Sequence, residues 1–186
     1  MSEKTTTLEK EKIVGLQIFT NLLDKGKVAI LQRRGTYDFE KMKDETWPGG
    51  FQVTAIGRAT DPKEFFLNVL YDEVKGELGQ YIADIVIAEK NKLGDQKLFD
   101  GIVVRGDTEK EVKIYGFGLR WPEVKKHFKL HVSTGGLGYV AEANVSKIKN
   151  LLDFDKEKGV PDLRTIAMFP EEKEAVEKGL QIIDIP

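Results

Sequence analysis

The segment from Gly57 to Gly79 restricts the possible folds of this chain most, because it predicts one helix with defined ends. Asp61 can cap the helix, Pro62 suits its first position, and Glu64 stands where it completes a capping box. Gly79 ends the predicted helix. Apolar side chains recur every four positions and form one stripe: Phe66, Leu70, Val74 and Leu78. This stripe predicts a helix that packs one face against the protein core.

The sequence on both sides of this helix predicts mainly strands. Before it, residues 12–33 predict a hairpin that turns at Gly26, and Phe51–Ile56 predicts a short strand. After it, five segments are strand-like: Ile82–Glu89, Lys97–Val104, Glu111–Gly118, His127–Val132 and Gly138–Ala141. Asn144–Phe154 and Pro170–Leu180 predict two later helices, and the charged segment Glu171–Lys178 is expected to be a solvated helix face. This order of elements predicts an α+β fold around a mixed sheet. We expect residues 11–186 to form a single domain after a flexible tail at 1–10.

Composition excludes several kinds of chemistry. The 186 residues include no cysteine and only two histidines, which excludes thiol nucleophiles, cysteine-bound metal centres and a three-histidine zinc site. The 29 basic and 31 acidic residues nearly cancel, so the chain has no general attraction for nucleic acid. It has neither a run of ~20 apolar residues nor an apolar signal segment, so we expect no membrane span and a cytoplasmic location. Carboxylates remain as the main candidate chemistry, and these suit hard metal ions.

Two carboxylates on the predicted helix are the strongest candidates. Glu73 and Glu77 are four residues apart, so they lie on one helix face, with Asp72 beside them. Two like charges at this spacing repel each other, and a bound divalent cation would reverse that effect. The alternative is that this is simply a solvated helix face.

This segment resembles the Nudix box, the signature of the Nudix hydrolase superfamily. Residues in the register of that signature are Glu64, Glu73, Val74, Glu77 and Gly79, and Gly57 is the opening glycine if one residue is inserted. Two positions depart from the signature, since Asp72 replaces an arginine and Gly76 replaces the first glutamate of a pair.

The surrounding sequence extends the resemblance to about residues 12–150. A strand ending in Gln32-Arg33 is followed by Trp47-Pro48-Gly49-Gly50 and then by the box helix, which is the order of elements in Nudix domains. The resemblance implies a Nudix-like α/β/α sandwich around a mixed β-sheet.

The resemblance also implies an activity. A Nudix-type hydrolase would cut a nucleoside diphosphate-linked, or related diphosphate, substrate with Mg²⁺ or Mn²⁺ held by Glu73 and Glu77. Glu73 would also be the catalytic residue that orients or deprotonates the attacking water. Gly57, Glu64 and Gly79 would have structural roles in the box. The expected partner is a small-molecule nucleotide or diphosphate, and a homodimer is possible.

Arg33 and Arg34 are candidate substrate-binding residues, because they could reach a phosphate or a nucleobase from the end of their strand. Surface ion pairing is the alternative role.

The departures at Asp72 and Gly76 leave two other functions open. The chain could be a catalytically weakened or inactive Nudix-like domain that binds a nucleotide or a protein, or a plain α+β structural subunit. If a metal site exists, further ligands are needed, and the candidates are Asp84, Glu89, Glu109, Glu111 and Glu142.

Overall fold

The computed structural model describes residues 10–59, 66–105, 107–129 and 131–186. The strands are β1 (Glu11–Leu22), β2 (Gly26–Arg34), β3 (Tyr37–Asp38), β4 (Lys43–Asp44), β5 (Phe51–Gln52), β6 (Ala55–Arg58), β7 (Lys97–Arg105), β8 (Thr108–Gly118), β9 (Thr134–Ala141), β10 (Lys149–Asn150) and β11 (Ala167–Met168). The α-helices are α1 (Phe66–Leu78), α2 (Gln80–Ala88), α3 (Lys90–Asp95), α4 (Trp121–His127) and α5 (Pro170–Ile182), and Glu142–Lys147 and Leu151–Asp153 are 3₁₀ turns.

Seven of these strands form one mixed sheet with helices on both faces. The strand order is β5-β2-β1-β8-β7, with β6 paired to β1 and β9 paired to β2. The long strand β1 is parallel to β8 and antiparallel to β2 and β6. This is the α+β sandwich around a mixed sheet that the sequence predicts.

The alternation of side chains along β1 supplies both layers of the core. Leu16 and Ile18 point to the face covered by α1 and α2, whereas Ile13 and Phe19 point to the face covered by α5. Because each buried side chain of this size contributes roughly 1.5–3 kcal/mol, the two layers hold the helices in place.

The predicted strand Phe51–Ile56 is broken in the middle. Val53 and Thr54 separate β5, which pairs with β2, from β6, which pairs with β1. The Thr54 hydroxyl takes over part of the pairing, because it accepts a hydrogen bond from Ile18 N (2.8 Å) and donates one to Ile30 O (2.7 Å). The sheet therefore opens at this point, and the candidate site lies around the opening.

Three predicted elements are wrong. The segment Ile82–Glu89 is not a strand and lies mostly in α2, where Ile82, Ala83 and Val86 form a buried helical face. A short apolar run cannot distinguish a buried strand from a buried helix. His127–Val132 is not a strand either, since His127 ends α4 and 132–133 is a turn. Asn144–Phe154 is not one helix, because β10 interrupts it by pairing with β11.

The solvated face predicted for Glu171–Lys178 is also partly wrong. Glu171 and Glu172 in the first turn of α5 are buried. The physical reason is Arg105 at the end of β7, which forms ion pairs with both.

Some predictions lie outside the described residues. These are the tail over residues 1–9 and the helix start with Asp61, Pro62 and Glu64.

Candidate active site

Helix α1 places Glu73 and Glu77 beside strand β6. The helix buries Val69, Leu70, Val74 and Leu78 against the sheet. Glu73 and Glu77 stand one turn apart beside that stripe, and an Oε of Glu77 accepts a hydrogen bond from Ile56 N at 3.3 Å. The two carboxylates therefore meet the sheet where β6 begins.

Gly57 makes room for Glu73. A Cβ at position 57 would lie 1.8 Å from the Glu73 Cδ, so a larger residue would displace this carboxylate. Gly79, between α1 and α2, has a φ of 95°, which explains why a glycine stands there. Gly76 differs, because a Cβ built there has no described atom within 4 Å beyond its chain neighbours and the adjacent backbone of its own helix.

The environment of the two carboxylates opposes their ionisation. Burial, together with the nearby charges of Glu40 and Asp72, raises the pKa of Glu73 to about 7, against the opposing effect of Lys41 and His131. Burial and the charge of Glu73 raise the pKa of Glu77 well above its ordinary value, although the Ile56 N–H and Arg34 oppose this.

The β3–β4 hairpin brings charged groups to this helix. Asp38 shapes the tip of the hairpin by accepting hydrogen bonds from the backbone N–H groups of Glu40 (3.1 Å) and Lys41 (3.0 Å). Glu40 then contacts His131 across the chain, with 2.8 Å between Oε1 and Nε2. Nothing in the sequence signals this contact, since 91 residues separate its partners.

A cleft of about 490 Å³ lies next to this hairpin. It is lined by Arg33, Arg34, Gly35, Thr36, Tyr37, Phe39, Pro48, Gly49, Val132, Ser133, Thr134, Gly135, Lys158, Val160 and Leu163. The cleft therefore combines basic residues with an apolar wall, and a volume of this size can hold a small molecule.

Both candidate substrate-binding arginines line the cleft, but each already has protein partners. The Arg33 guanidinium lies 4.7 Å from the centre of the Phe51 ring and donates a hydrogen bond to Leu163 O. Arg34 forms an ion pair with Glu45 (3.6 Å) and is close enough to Glu77 to affect its pKa. Arg34 thus links the cleft wall to the box helix.

Sequence reasoning missed an acidic group on the other side of the sheet opening. Glu172 of α5 accepts a hydrogen bond from Val53 N at 3.0 Å. Its burial raises its pKa to about 7, although Arg105 and Arg34 oppose this. In the sequence, only its position two residues after Pro170, in the first turn of the predicted helix, sets Glu172 apart from other glutamates.

The carboxylate pair has the chemistry of a metal site with few protein ligands. The described residues include no cluster of three or more acidic or histidine side chains that could hold a metal ion. Hence none of the candidate further ligands joins Glu73 and Glu77 in this structure: Asp84, Glu89, Glu109, Glu111 and Glu142. Mg²⁺ is commonly bound by one or two carboxylates together with waters and substrate phosphates, so two carboxylates fit this ion.

Comparison with known proteins identifies the fold. No protein-family model and no curated protein matches the chain, but solved structures do.

The chain is similar to the NUDIX domain of Shewanella oneidensis NrtR complexed with ADP ribose (10% identity, TM-score 0.52, 92% of this chain and 87% of that chain). It is also similar to a MutT protein from Methanosarcina mazei Go1 (14% identity, TM-score 0.51, 94% of this chain and 96% of that chain). A third match is a NUDIX hydrolase from Alicyclobacillus acidocaldarius (12% identity, TM-score 0.52, 95% of this chain and 98% of that chain). The chain therefore has a Nudix-like fold, which confirms the resemblance found in the sequence.

Among the described residues, no helix is long and apolar enough to cross a bilayer.

Proposed function

We propose that this chain is a Nudix-type hydrolase that cuts a nucleoside diphosphate-linked, or related diphosphate, substrate with the help of Mg²⁺ or Mn²⁺. The observation that carries the proposal is the pair Glu73 and Glu77 on one helix, with Arg34, which lines the cleft, close enough to Glu77 to lower its pKa. A Nudix-like fold and a neighbouring structure that contains ADP ribose agree with this substrate class.

The raised pKa values support a cation at this helix. Holding two partly buried carboxylates beside each other is unfavourable when both are charged, and a divalent cation removes that cost. When bound, the metal would neutralise the diphosphate and lower the pKa of a bound water.

The two glutamates differ in what else they contact. Glu77 is fixed by the Ile56 N–H, which suits a ligand that holds its position. We assign Glu73, one helical turn before Glu77, the role of taking a proton from the attacking water.

The cleft would receive the substrate. Lys158 and Arg33 line it and would offset the charge of a diphosphate. Arg34 would act on the carboxylates instead, because it pairs with Glu45 and its charge lowers the pKa of Glu77.

Hydrolysis of a panel of nucleoside diphosphate compounds tests this proposal. We expect turnover that requires Mg²⁺ or Mn²⁺. It should fall by about 10²–10⁴-fold in Glu73→Gln, the range for loss of a catalytic acid–base group, and it should also fall in Glu77→Gln, which removes a metal ligand. Glu174→Gln on the exposed face of α5 is the control and should retain full activity. No turnover of any compound, or full turnover in both glutamate variants, would overturn the proposal.

The departures from the signature favour one alternative, a Nudix-like domain that binds a nucleotide or a protein without cutting. Asp72 and Gly76 remove an arginine and a carboxylate that the signature has. Calorimetry separates the two functions, because nucleotide binding without a metal requirement and without turnover would support the binding domain. The double change Asp72→Arg with Gly76→Glu would then create activity, and position 76 has open space for the larger side chain.

A further inference from the structure

Three side chains outside the box helix form a continuous hydrogen-bonded chain at the cleft. Glu40 Oε1 lies 2.8 Å from His131 Nε2, and His131 Nδ1 lies 2.6 Å from Ser133 Oγ. Ser133 lines the cleft of about 490 Å³. An acid, an imidazole and a hydroxyl in this order are the components of an activated serine nucleophile.

The backbone determines which way the protons point. The Ser133 backbone N–H donates to His131 Nδ1 at 3.3 Å, and an amide nitrogen of this kind can only donate. Nδ1 therefore carries its single lone pair, which the Ser133 backbone N–H at 3.3 Å and the Ser133 hydroxyl at 2.6 Å share, while Nε2–H donates to Glu40. In this tautomer the imidazole is a base toward Ser133, and the Glu40 carboxylate stabilises the imidazolium that forms when the proton moves.

The loop that carries Ser133 is held tightly against the end of β2. Gly35 N donates to Ser133 O at 3.0 Å, and a Cβ at Gly35 would lie 2.3 Å from that oxygen. Thr134 N donates to His131 O at 3.0 Å within the same turn. The hydroxyl is therefore positioned before any substrate binds, which a nucleophile needs.

The mouth of the cleft indicates the kind of substrate. Three large apolar side chains that line it are exposed: Phe39 (58%), Val132 (72%) and Leu163 (70%). Exposed apolar residues that gather at one cleft mark a binding surface more often than singly scattered ones do.

The geometry points to Ser133 as a nucleophile activated by His131 and Glu40, in a second reaction centre that acts on carboxylic esters with an apolar acyl group. Ser133 Oγ forms a bond to the carbonyl carbon as its proton passes to His131 Nδ1. The C–O bond to the alcohol then breaks, and the alcohol oxygen takes that proton. Water next attacks the acyl–Ser133 ester and passes a proton through His131 back to Ser133 Oγ, which releases the acid.

A fluorophosphonate probe with a hydrocarbon chain tests this directly, with the full chain in EDTA so that the result does not depend on a metal. The P–O bond to Ser133 forms as the P–F bond breaks, and intact mass with peptide mapping locates the adduct. We expect one equivalent on Ser133, none in Ser133→Ala, and labelling slowed at least about 100-fold in His131→Gln, the lower end of general-base catalysis. Glu40→Gln should also slow labelling.

Controls come from the same chain. Ser146 is exposed on a 3₁₀ turn, and His127 stacks on Tyr81, so Ser146→Ala and His127→Gln should be labelled at the wild-type rate. Hydrolysis of p-nitrophenyl butyrate should follow the same order of variants.

Two results would overturn the inference. One is the absence of an adduct on wild-type Ser133, which would mean that His131 only closes a local turn. The other is labelling of His131→Gln and Glu40→Gln at the wild-type rate. Circular dichroism shows whether each variant is folded. If a variant is not folded, the presence or absence of the adduct on Ser133 of the wild-type chain decides whether the inference holds.

Discussion

At the scale of single residues, the carboxylates Glu73 and Glu77 make the stability of the chain depend on pH, because both bind protons more tightly in the folded chain than in the unfolded one. The pKa of Glu73 rises from 4.5 to about 7, and that of Glu77 rises well above 4.5. When folding raises the pKa of an acid, the free energy of unfolding falls as the pH rises from the pKa in the unfolded state through the pKa in the folded state. The molecule is therefore expected to be less stable at pH 8 than near pH 5.5.

A divalent cation should remove part of this loss. Without metal, Glu77→Gln should raise the melting temperature at pH 8 and make it less dependent on pH, because it removes one of the two charges. Mn²⁺ at about 100-fold over its Kd should raise the wild-type melting temperature by about 5–10 °C and leave Glu77→Gln nearly unchanged. Thermal unfolding at both pH values, with and without Mn²⁺, measures this. An equal shift in both proteins would contradict a cation at Glu77.

The glycines of the box segment allow a matched pair of substitutions. Gly57→Ala puts a Cβ 1.8 Å from the Glu73 Cδ, so it should displace the carboxylate, cost about 1–3 kcal/mol of stability and abolish hydrolysis. Gly76→Ala meets no described atom within 4 Å on an exposed helix position and should gain about 0.5–1 kcal/mol. Urea unfolding and the hydrolysis assay check both, and equal effects of the two changes would show that Gly57 does not support Glu73.

At the scale of elements, α5 fixes the far side of the sheet opening through buried charges. Glu171 and Glu172 in its first turn pair with Arg105 from β7, whose guanidinium lies 3.6 Å from the centre of the Phe169 ring. Arg105→Ala leaves two buried acids without that partner and should cost about 3–5 kcal/mol. Glu174→Gln on the exposed side of α5 should stay within about 0.5 kcal/mol. Denaturant unfolding measures both, and a mild effect of Arg105→Ala would show that this network contributes little.

Periodicity predicted some elements and could not predict others. The stripe of α1 and the strand-forming runs of β1, β7 and β8 are local patterns, so the sequence reveals them. The apolar run from Ile82 fits a strand as well as a helix, and packing against α1 decides in favour of α2.

The same distinction applies to the candidate site. The spacing of Glu73 and Glu77 is local, so their shared helix face was predictable. The contacts between Glu40 and His131 and between Arg34 and Glu45 depend on how loops meet in three dimensions. The burial of Glu172 depends on β7 and the opening at Val53 in the same way.

At the scale of the whole molecule, the break in the sheet at Val53 and Thr54 organises the candidate site. Helix α1 brings Glu77 to Ile56 on one side of the break, and α5 brings Glu172 to Val53 on the other. Arg34 affects the pKa of both acids, so the two helices are coupled electrostatically through one residue of β2. The charge of Arg34 therefore acts on the carboxylates of both helices.

A crystal structure of the chain soaked in Mn²⁺ shows whether Glu73 and Glu77 hold a cation together. We expect an anomalous difference peak at ligand distance, about 2.0–2.3 Å, from a carboxylate oxygen of both Glu73 and Glu77, with water completing the coordination. A fully occupied Mn²⁺ bound elsewhere, or no peak at this helix at pH 8 with Mn²⁺ in large excess, would contradict it.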